Sequence, residues 1–312
     1  MSKLLTPKVL IPVLVVIAVM VVFSIVFPPV VLPTIEIAAE QVFTIFGLPI
    51  TNTLVTSWLT MIILIVLAYL GTRKMNLVPS GLQNVLEWIV EMLYGLVEDV
   101  AGTREKSRKF FPIVATIFLF VIISNWMGIL PLFGSVGWLH EAHHGVTGYH
   151  INEVGQNFGL LTNEVDEHGY VLVPFLRSAA TDLNMTLALA LVSMVLVQYF
   201  GVQALGLRYF TKFFTIDFSQ GAFEGFINIF VGVLELISEF AKIISFTFRL
   251  FGNVFAGEVL LGVLAFLIPY VVSLPFYGLE LFVGFIQALV FMMLTLVFFT
   301  LATIGHGHGE EH

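Results

Sequence analysis

Residues 235–258 read ELISEFAKIISFTFRLFGNVFAGE and decide the class of this protein. Most of these positions are apolar and no proline interrupts them, so the stretch predicts a membrane helix. Within it, Arg249 has no acidic residue within four positions on either side. A guanidinium keeps its proton, and an unpaired charge at membrane depth is costly. Arg249 therefore indicates a functional site whose counter-charge comes from elsewhere.

The composition of the whole chain also indicates a membrane protein. Hydrophobic residues make up 58% of the 312 residues and charged residues 11%, and several apolar runs reach the roughly 20 residues that a spanning helix needs. The chain contains no cysteine, which excludes disulfides and thiolate chemistry. We predict an all-α polytopic membrane protein with about six membrane-crossing helices, including a long, strongly tilted helix pair, and one amphipathic surface helix.

The predicted helices are of two kinds. Segment 78–102 has its aliphatic residues along one face and its carboxylates elsewhere, which is typical of a helix lying on the membrane surface. The other helices are apolar all round and are predicted to cross the membrane at about residues 9–27, 53–71, 112–131, 180–205, 225–269 and 276–303. A long polar loop, rich in glycine, histidine and acids, occupies residues 132–178.

The first apolar run, residues 9–27, has two interpretations. Its basic start resembles a signal peptide, but the run is longer than the apolar part of such a peptide, and no clear cleavage site follows. We therefore expect an extra N-terminal membrane span in residues 1–28 and a single transmembrane domain in residues 29–312. With six alternating crossings most lysines and arginines fall on one side, with Arg177 the exception on the other. The positive-inside rule then places both termini in the cytoplasm.

This orientation predicts on which side of the membrane two further segments lie. Loop 132–178 is expected outside the cell, and the tail 305–312 inside it. Segment 225–269 is about 60 Å long as a helix, roughly twice the hydrocarbon thickness of a bilayer. It must therefore be steeply tilted, or broken near Gly252 or Gly257.

Polar side chains near Arg249 predict two aqueous inlets, one from each side of the membrane. Glu258 is nine residues from Arg249, so it points about 180° away and lies further outward. Glu280 and Gln287 are seven residues apart and share one face of the last helix. The residues expected to join Glu258 and Glu280 at the outer inlet are Asp182 and Asn184. Glu235, Glu239, Lys242 and Asn253 lie along the same long helix, and a structural ion pair is the simpler interpretation of the first three.

The sequence SFTFRLFGNVFAGE, residues 245–258, resembles the signature of subunit a of the F-type ATP synthase, the stator channel beside the rotating c-ring. Four further segments resemble that family in the same order. They are VPSGLQNVLEWIVEMLYGLVED, FFPIVATIFLFVIISNWMGILP, ATDLNMTLALAL and IQALVFMMLTLVFFTLA. The resemblance covers about residues 40–304.

This resemblance implies a function in the Fo rotary motor: hydrogen ion transport (or sodium transport) coupled to rotation and ATP synthesis. It implies that Arg249 faces a carboxylate of the c-ring and blocks an ion shunt. The other implied positions are Asn253, Glu258, Glu280 and Gln287 in an external half-channel, and Glu235 with Ser238 in a cytoplasmic one. Because the ion-selecting site lies mainly on the c-ring, the choice between H⁺ and Na⁺ stays open.

The same resemblance implies the partners and the location. The expected partners are the c-ring, the peripheral-stalk subunit b, membrane lipid and, indirectly, the F1 sector, with no nucleic acid. The expected location is the bacterial plasma membrane. No catalytic site of its own, no cofactor and no metal site are expected for this chain.

Two other functions remain as alternatives. Residues 140–144 read HEAHH, which matches the zinc-protease motif H-E-x-x-H, and His150 has the spacing of a third ligand. However, Thr147 stands where that motif needs glycine, and loop 132–178 is too short for a catalytic domain. An autonomous ion transporter needs an internal counter-charge for Arg249 and shows no evident inverted repeat here. A ring of small two-helix subunits that co-purifies with the chain distinguishes the first function from both.

Overall fold

The structure is a computed structural model that describes residues 39–130, 136–141, 148–155, 158–166, 169–213, 222–267 and 273–304. Within these ranges the membrane part is helical. Its helices are α1 (Asn52–Thr72), α2 (Leu82–Ala101), α3 (Arg104–Ile129), α4 (Leu183–Leu205), α5 (Ala222–Leu267) and α6 (Ser273–Ala302). All except α2 are long and apolar enough to cross a membrane. The predicted all-α polytopic fold is confirmed, whereas the predicted span 9–27 and the tail 305–312 lie outside the described residues.

Helix α2 is the amphipathic helix predicted at 78–102. It buries Leu93, Val97 and Ala101 and leaves Trp88 on its exposed side. It ends at Gly102, whose positive φ of 72° suits a helix C-terminus. Helix α3 then begins at Arg104, earlier than the predicted start of the third crossing at residue 112.

Aromatic side chains join the helices in the core. Phe110 of α3, Phe200 of α4 and Phe299 of α6 pack around one point, with ring centroids 4.8 to 5.4 Å apart. Phe246 of α5 packs against Phe291 of α6 at 4.7 Å. Each of these rings is buried, so α3, α4, α5 and α6 share one apolar core that fixes their relative positions.

Helix α5 is continuous from Ala222 to Leu267, over 46 residues. At 1.5 Å per residue this corresponds to about 69 Å. The alternative of a break near Gly252 or Gly257 is therefore wrong, because both glycines lie within uninterrupted helix. A steep tilt stays a prediction.

Strands occur outside the predicted crossings. Strands β1 (Gln41–Ile45) and β2 (Leu48–Thr51) form an antiparallel hairpin, and both turn residues between them have positive φ, as in type I′ turns. The segment 132–178, which was predicted as a long polar loop, contains an antiparallel sheet with strand order β3-β6-β4-β5. These strands are β3 (Gly137–Glu141), β4 (Gly148–Gly155), β5 (Phe158–Asp166) and β6 (Tyr170–Pro174).

Candidate functional site

A cavity lies where α3, α5 and α6 meet the segment that precedes α4. Its volume is about 520 Å³, counted together with its open mouth. The polar residues that line it are Asn125, Arg177, Ser178, Thr181, Glu258 and Glu280. The structure therefore brings together Glu258 and Glu280, which come from different helices and were both predicted at an outer inlet. We call this space the outer cavity.

Glu258 is paired with Arg177, a residue that the sequence analysis did not select. The Arg177 Nε donates to both carboxylate oxygens, at 3.0 and 3.2 Å, and its Nη2 donates to Oε2 at 3.0 Å. The side chain of Arg177 is only 7% exposed, whereas that of Glu258 is 40% exposed. The only sequence signal for Arg177 was its place on the side opposite to the other basic residues.

Glu280 is held differently from Glu258. Its side chain is buried, and it lies directly against Gly257 of α5, where a Cβ atom would collide with the carboxylate. Among the described residues, no hydrogen-bond or ion-pair partner reaches the Glu280 carboxylate. The outer cavity thus contains one paired carboxylate and one unpaired carboxylate.

Two asparagines near the outer cavity have buried polar atoms without a partner in the described part of the chain. They are the Oδ1 of Asn125 and the Nδ2 of Asn253. The Nδ2 of Asn125 donates to the backbone oxygen of Gly284 at 3.3 Å. Buried polar atoms without partners are uncommon and are usually satisfied by water or an ion. Asn253 lies one helical turn from Arg249, so these atoms extend the polar surface from the outer cavity toward Arg249.

Arg249 lies at the border between the packed and exposed faces of α5. Its neighbours Phe246 and Leu250 are buried, whereas Ser245 and Phe248 are exposed. The Arg249 Nη2 lies 3.5 Å from the Ser245 Oγ, and its guanidinium carbon is 5.9 Å from the ring centroid of Phe246. No carboxylate in the described ranges forms an ion pair with it. The predicted lack of a local counter-charge is present in the folded chain.

A second polar cluster surrounds Glu239 on the other side of Arg249. Glu239 is buried and accepts from Lys212 at 3.0 Å, Lys242 at 3.1 Å and Gln198 at 3.1 Å. Glu235 lies 4.0 Å from the Lys212 Nζ. This is the structural ion pairing considered for Glu235, Glu239 and Lys242, enlarged by Lys212 and Gln198 from the α4 region. We call it the inner cluster.

The remaining predicted residues take other places. Asp182 accepts from the backbone N–H of Asn184 at 2.9 Å and from the hydroxyl of Thr53 at 2.9 Å, so it caps α4. Asp182 and Asn184 do not line the outer cavity, and their place beside Glu258 and Glu280 in an outer inlet stays a prediction. Ser238 is half-buried beside the inner cluster. Gln287 is half-buried two turns along α6 from Glu280.

Only His140 and Glu141 of the HEAHH segment lie within the described ranges. His140 and Glu141 lie on strand β3 rather than on a helix, and His143 and His144 lie outside the described residues. Within those ranges no group of three or more potential metal ligands comes together. The residues present give no geometric support to a zinc protease.

Comparisons with known proteins give one consistent result. The model of a family described as ATP synthase A chain matches residues 54–300. ATP synthase subunit a of Moorella thermoacetica is 31% identical over 268 residues, which are 86% of this chain and 97% of that protein. ATP synthase subunit a of Gloeobacter violaceus is 36% identical over 244 residues, which are 78% of this chain and 80% of that protein.

Proposed function

Because the chain belongs to the ATP synthase A chain family, we propose that it builds two offset ion paths and that Arg249 separates them. Membership makes the chain a stator subunit of the Fo membrane sector and a multi-pass membrane protein. The resemblance drawn from residues 245–258 is thereby confirmed. The comparisons do not support the metalloprotease or autonomous-transporter alternative.

The observation that carries the proposal is the position of Arg249 between two groups of carboxylates. Along α5, Glu258 is about 14 Å from Arg249 in one direction and Glu239 about 15 Å in the other, at 1.5 Å rise per residue. Each of these acids has its own basic partner, Arg177 or Lys212. A cation midway between two polar regions prevents a second cation from passing directly from one to the other.

The outer path runs from the mouth of the outer cavity past Glu258 to Glu280. Asn253 and Gln287 extend it toward the middle of the membrane. The unpaired carboxylate of Glu280 is suited to accept an ion, since no cation in the described ranges competes for it. Asp182 and Asn184 were predicted in the same path; Asp182 caps α4 by accepting from the backbone N–H of Asn184.

The inner path is assigned to Glu235 and Ser238. Glu235 has only a 4.0 Å contact with Lys212 and remains half-buried, so its carboxylate is accessible. Glu239 and Lys242 bind each other and Lys212 closely, so we assign them to anchoring α5 against the α4 region. Of the four residues predicted on the inner side, this assignment keeps Glu235 and Ser238 in the ion path and gives Glu239 and Lys242 a structural role.

The counter-charge of Arg249 is a carboxylate on a helix of the c-ring. Ser245 and Ala256, one turn before and two turns after Arg249 on α5, are exposed, and a Cβ atom at Gly252 meets nothing within 4 Å. Small exposed residues allow another helix to approach closely. The c-ring is therefore the direct partner in this proposal, while the peripheral-stalk subunit b, membrane lipid and, indirectly, the F1 sector complete the surroundings.

Rotation follows from neutralising and recharging that rotor carboxylate. An ion from the outer path binds the carboxylate and removes its charge, so that it leaves Arg249 and enters lipid. After nearly a full turn, the ion is released into the inner path and the carboxylate again meets Arg249. Moving one charge across 100 mV supplies about 2.3 kcal/mol. The location proposed is the bacterial plasma membrane, with both termini in the cytoplasm and residues 1–28 as an extra span.

Replacing Arg249 tests this mechanism. Arg249→Ala is expected to abolish ion-driven ATP synthesis by the reconstituted complex, because nothing then separates the two paths or attracts the rotor carboxylate. Passive ion flux through vesicles stripped of F1 is expected to persist, measured separately with H⁺ and Na⁺ gradients. The control is Arg73→Ala, at an exposed arginine just after α1. Synthesis at the wild-type rate by Arg249→Ala would overturn the proposal.

A further inference from the structure

We propose that Arg177 is a positioning residue of the outer path, and that its guanidinium fixes the orientation of the Glu258 carboxylate at the mouth of the outer cavity. This inference rests on the proposed function. It assigns a role to a residue outside the long helix that carries Arg249. The planar guanidinium fork matches a carboxylate and fixes its orientation better than a single point contact does.

The two side chains differ in exposure, as expected if Arg177 fixes the position of Glu258. Arg177 is almost completely buried, while the Glu258 side chain remains 40% exposed toward the cavity. Three donor–acceptor distances between them, from 3.0 to 3.2 Å, engage both carboxylate oxygens. The arginine thus restrains Glu258 from the protein side and leaves its other side open to an entering ion.

Helix α1 holds the segment that carries Arg177. The Asn52 Nδ2 donates to the backbone oxygen of Pro174 at 3.3 Å, and the Arg177 N–H donates to the Thr56 Oγ1 at 3.2 Å. The Thr53 hydroxyl donates to Asp182 at 2.9 Å. These contacts occur before, at and after Arg177.

The α1 side chains that make these contacts belong to a buried polar stripe on an otherwise apolar helix. Its members are Asn52, Thr53, Thr56, Ser57 and Thr60. Polar residues inside a membrane bundle usually bind another part of the protein. Here the stripe clamps the segment from Pro174 to Asp182, so that the Arg177 side chain is presented to Glu258 from a fixed backbone.

The pair also determines what happens when one partner is removed. Replacing one partner leaves the other without this contact, whereas replacing both removes the interaction as a whole. If Arg177 acts on ion flow through Glu258, then its loss has no further effect once Glu258 has lost its charge. A residue that affects ion flow independently of Glu258 gives losses that add in the double variant, because changes at uncoupled sites are additive.

The experiment measures passive ion flux through Fo in vesicles of the assembled complex, with H⁺ and Na⁺ tested separately. Arg177→Gln is expected to reduce the flux about tenfold, as for loss of a hydrogen-bonded charge, and Arg177→Lys is expected to recover about a third or more of it. Glu258→Gln is expected to lose about as much as Arg177→Gln. The double variant Arg177→Gln/Glu258→Gln is expected to match Glu258→Gln. Arg104→Gln, which removes an exposed pair with Glu98, is the matched control and keeps wild-type flux.

Two results overturn the inference: wild-type flux in Arg177→Gln, or additive losses in the double variant. If Arg177→Gln does not assemble, the double variant decides, because it lacks both partners of the pair; a further tenfold loss relative to Glu258→Gln then contradicts the inference. Arg249→Ala is assayed for ATP synthesis in the same preparation. Lost synthesis in Arg249→Ala with wild-type flux in Arg177→Gln rejects only the role of Arg177, whereas wild-type synthesis in Arg249→Ala rejects the proposed function itself.

Discussion

Replacing Gly257 with alanine tests whether the position of the Glu280 carboxylate controls ion flow. Gly257 is buried on α5, and its missing side chain leaves the space that the Glu280 carboxylate occupies. A Cβ atom at this position would meet both carboxylate oxygens and the carbon between them. The substitution therefore moves one group of the outer path without removing any charge.

The size of the displacement follows from the collision. To reach an ordinary van der Waals distance from the new methyl group, the carboxylate must retreat by about 1 Å or more. The group is the free end of a flexible side chain, so the retreat needs little change in packing, and the better helix propensity of alanine contributes about 1 kcal/mol in the opposite direction. A 1 Å misplacement of a reacting group can lower a rate about a hundredfold. We expect normal assembly of Gly257→Ala and a tenfold to hundredfold lower ion flux.

The assay compares assembly and flux in the same membranes. Assembly is measured by the amount of this chain that co-purifies with the complex, and flux by ATP-driven ion pumping into vesicles. The matched control is Gly95→Ala on α2, where a Cβ atom meets nothing within 4 Å and the same gain in helix propensity applies. Wild-type pumping by assembled Gly257→Ala would refute the reasoning, because it would show that the rate of ion transport does not depend on the position of the Glu280 carboxylate.

Two further predictions concern the contacts that support the paths. Lys212→Met is expected to lower the stability of the complex by about 2 kcal/mol, because Glu239 loses a charged hydrogen-bond donor that is only 17% exposed. The control, Arg104→Met, removes an 83% exposed arginine from its pair with Glu98 and is expected to change stability by less than about 1 kcal/mol. Equal shifts in thermal unfolding of the two variants contradict this. Thr53→Val is expected to lower ion flux severalfold, because it removes the hydrogen bond to Asp182, which is worth about 1 kcal/mol. The control Thr72→Val, at a hydroxyl that donates to Ala68 of its own helix, is expected to keep wild-type flux. Equal flux in both variants excludes a role for the polar stripe of α1.

The crossings were predictable because a bilayer imposes a length and a composition on any helix that spans it. The amphipathic helix α2 was predictable from its 3.6-residue period. The start of α3 was not, because hydropathy marks where a helix enters lipid and not where it begins. Arg104 and the basic residues after it extend α3 outside the predicted apolar segment. A charged helical turn in water leaves no hydropathy signal.

Contacts between elements that are far apart in the sequence could not be predicted from residue spacing. Glu258 and Glu280 were selected because each lies on a polar position of an apolar helix, but Arg177 is 81 residues from Glu258 in the chain. No periodicity connects an arginine in a connecting segment to an acid on a later helix. The same reason explains why Lys212 was not assigned to Glu239. Gly257 was selected as a candidate break point, although in the folded chain it provides room for a carboxylate within a continuous helix.

The sheet in loop 132–178 was not predictable for a different reason. Strands β3 and β6 have only five residues each, and glycines lie at the start of β3 and at both ends of β4, which weakens any alternation of polar and apolar residues. Strands β3 and β6 pair directly, from Gly137 with Pro174 to Glu141 with Tyr170. Strand β6 thus ends immediately before the segment that carries Arg177. The sheet holds the start of that segment at Pro174, and the polar stripe of α1 holds it through hydrogen bonds to Pro174, Arg177 and Asp182.

The two pairs explain why Arg249 has no acidic partner within the described part of its own chain. Each carboxylate cluster beside it already contains its own cation, Arg177 for Glu258 and Lys212 for Glu239. If either acid instead paired with Arg249, it would lose the close contacts that it has with its own cation, which is unfavourable for a partly buried pair. The resident cations therefore keep both acids away from Arg249 and leave its charge available at the exposed border of α5. In the proposed mechanism, a rotor carboxylate that arrives and departs can use this charge repeatedly, because no acid in the described part of the chain competes for it.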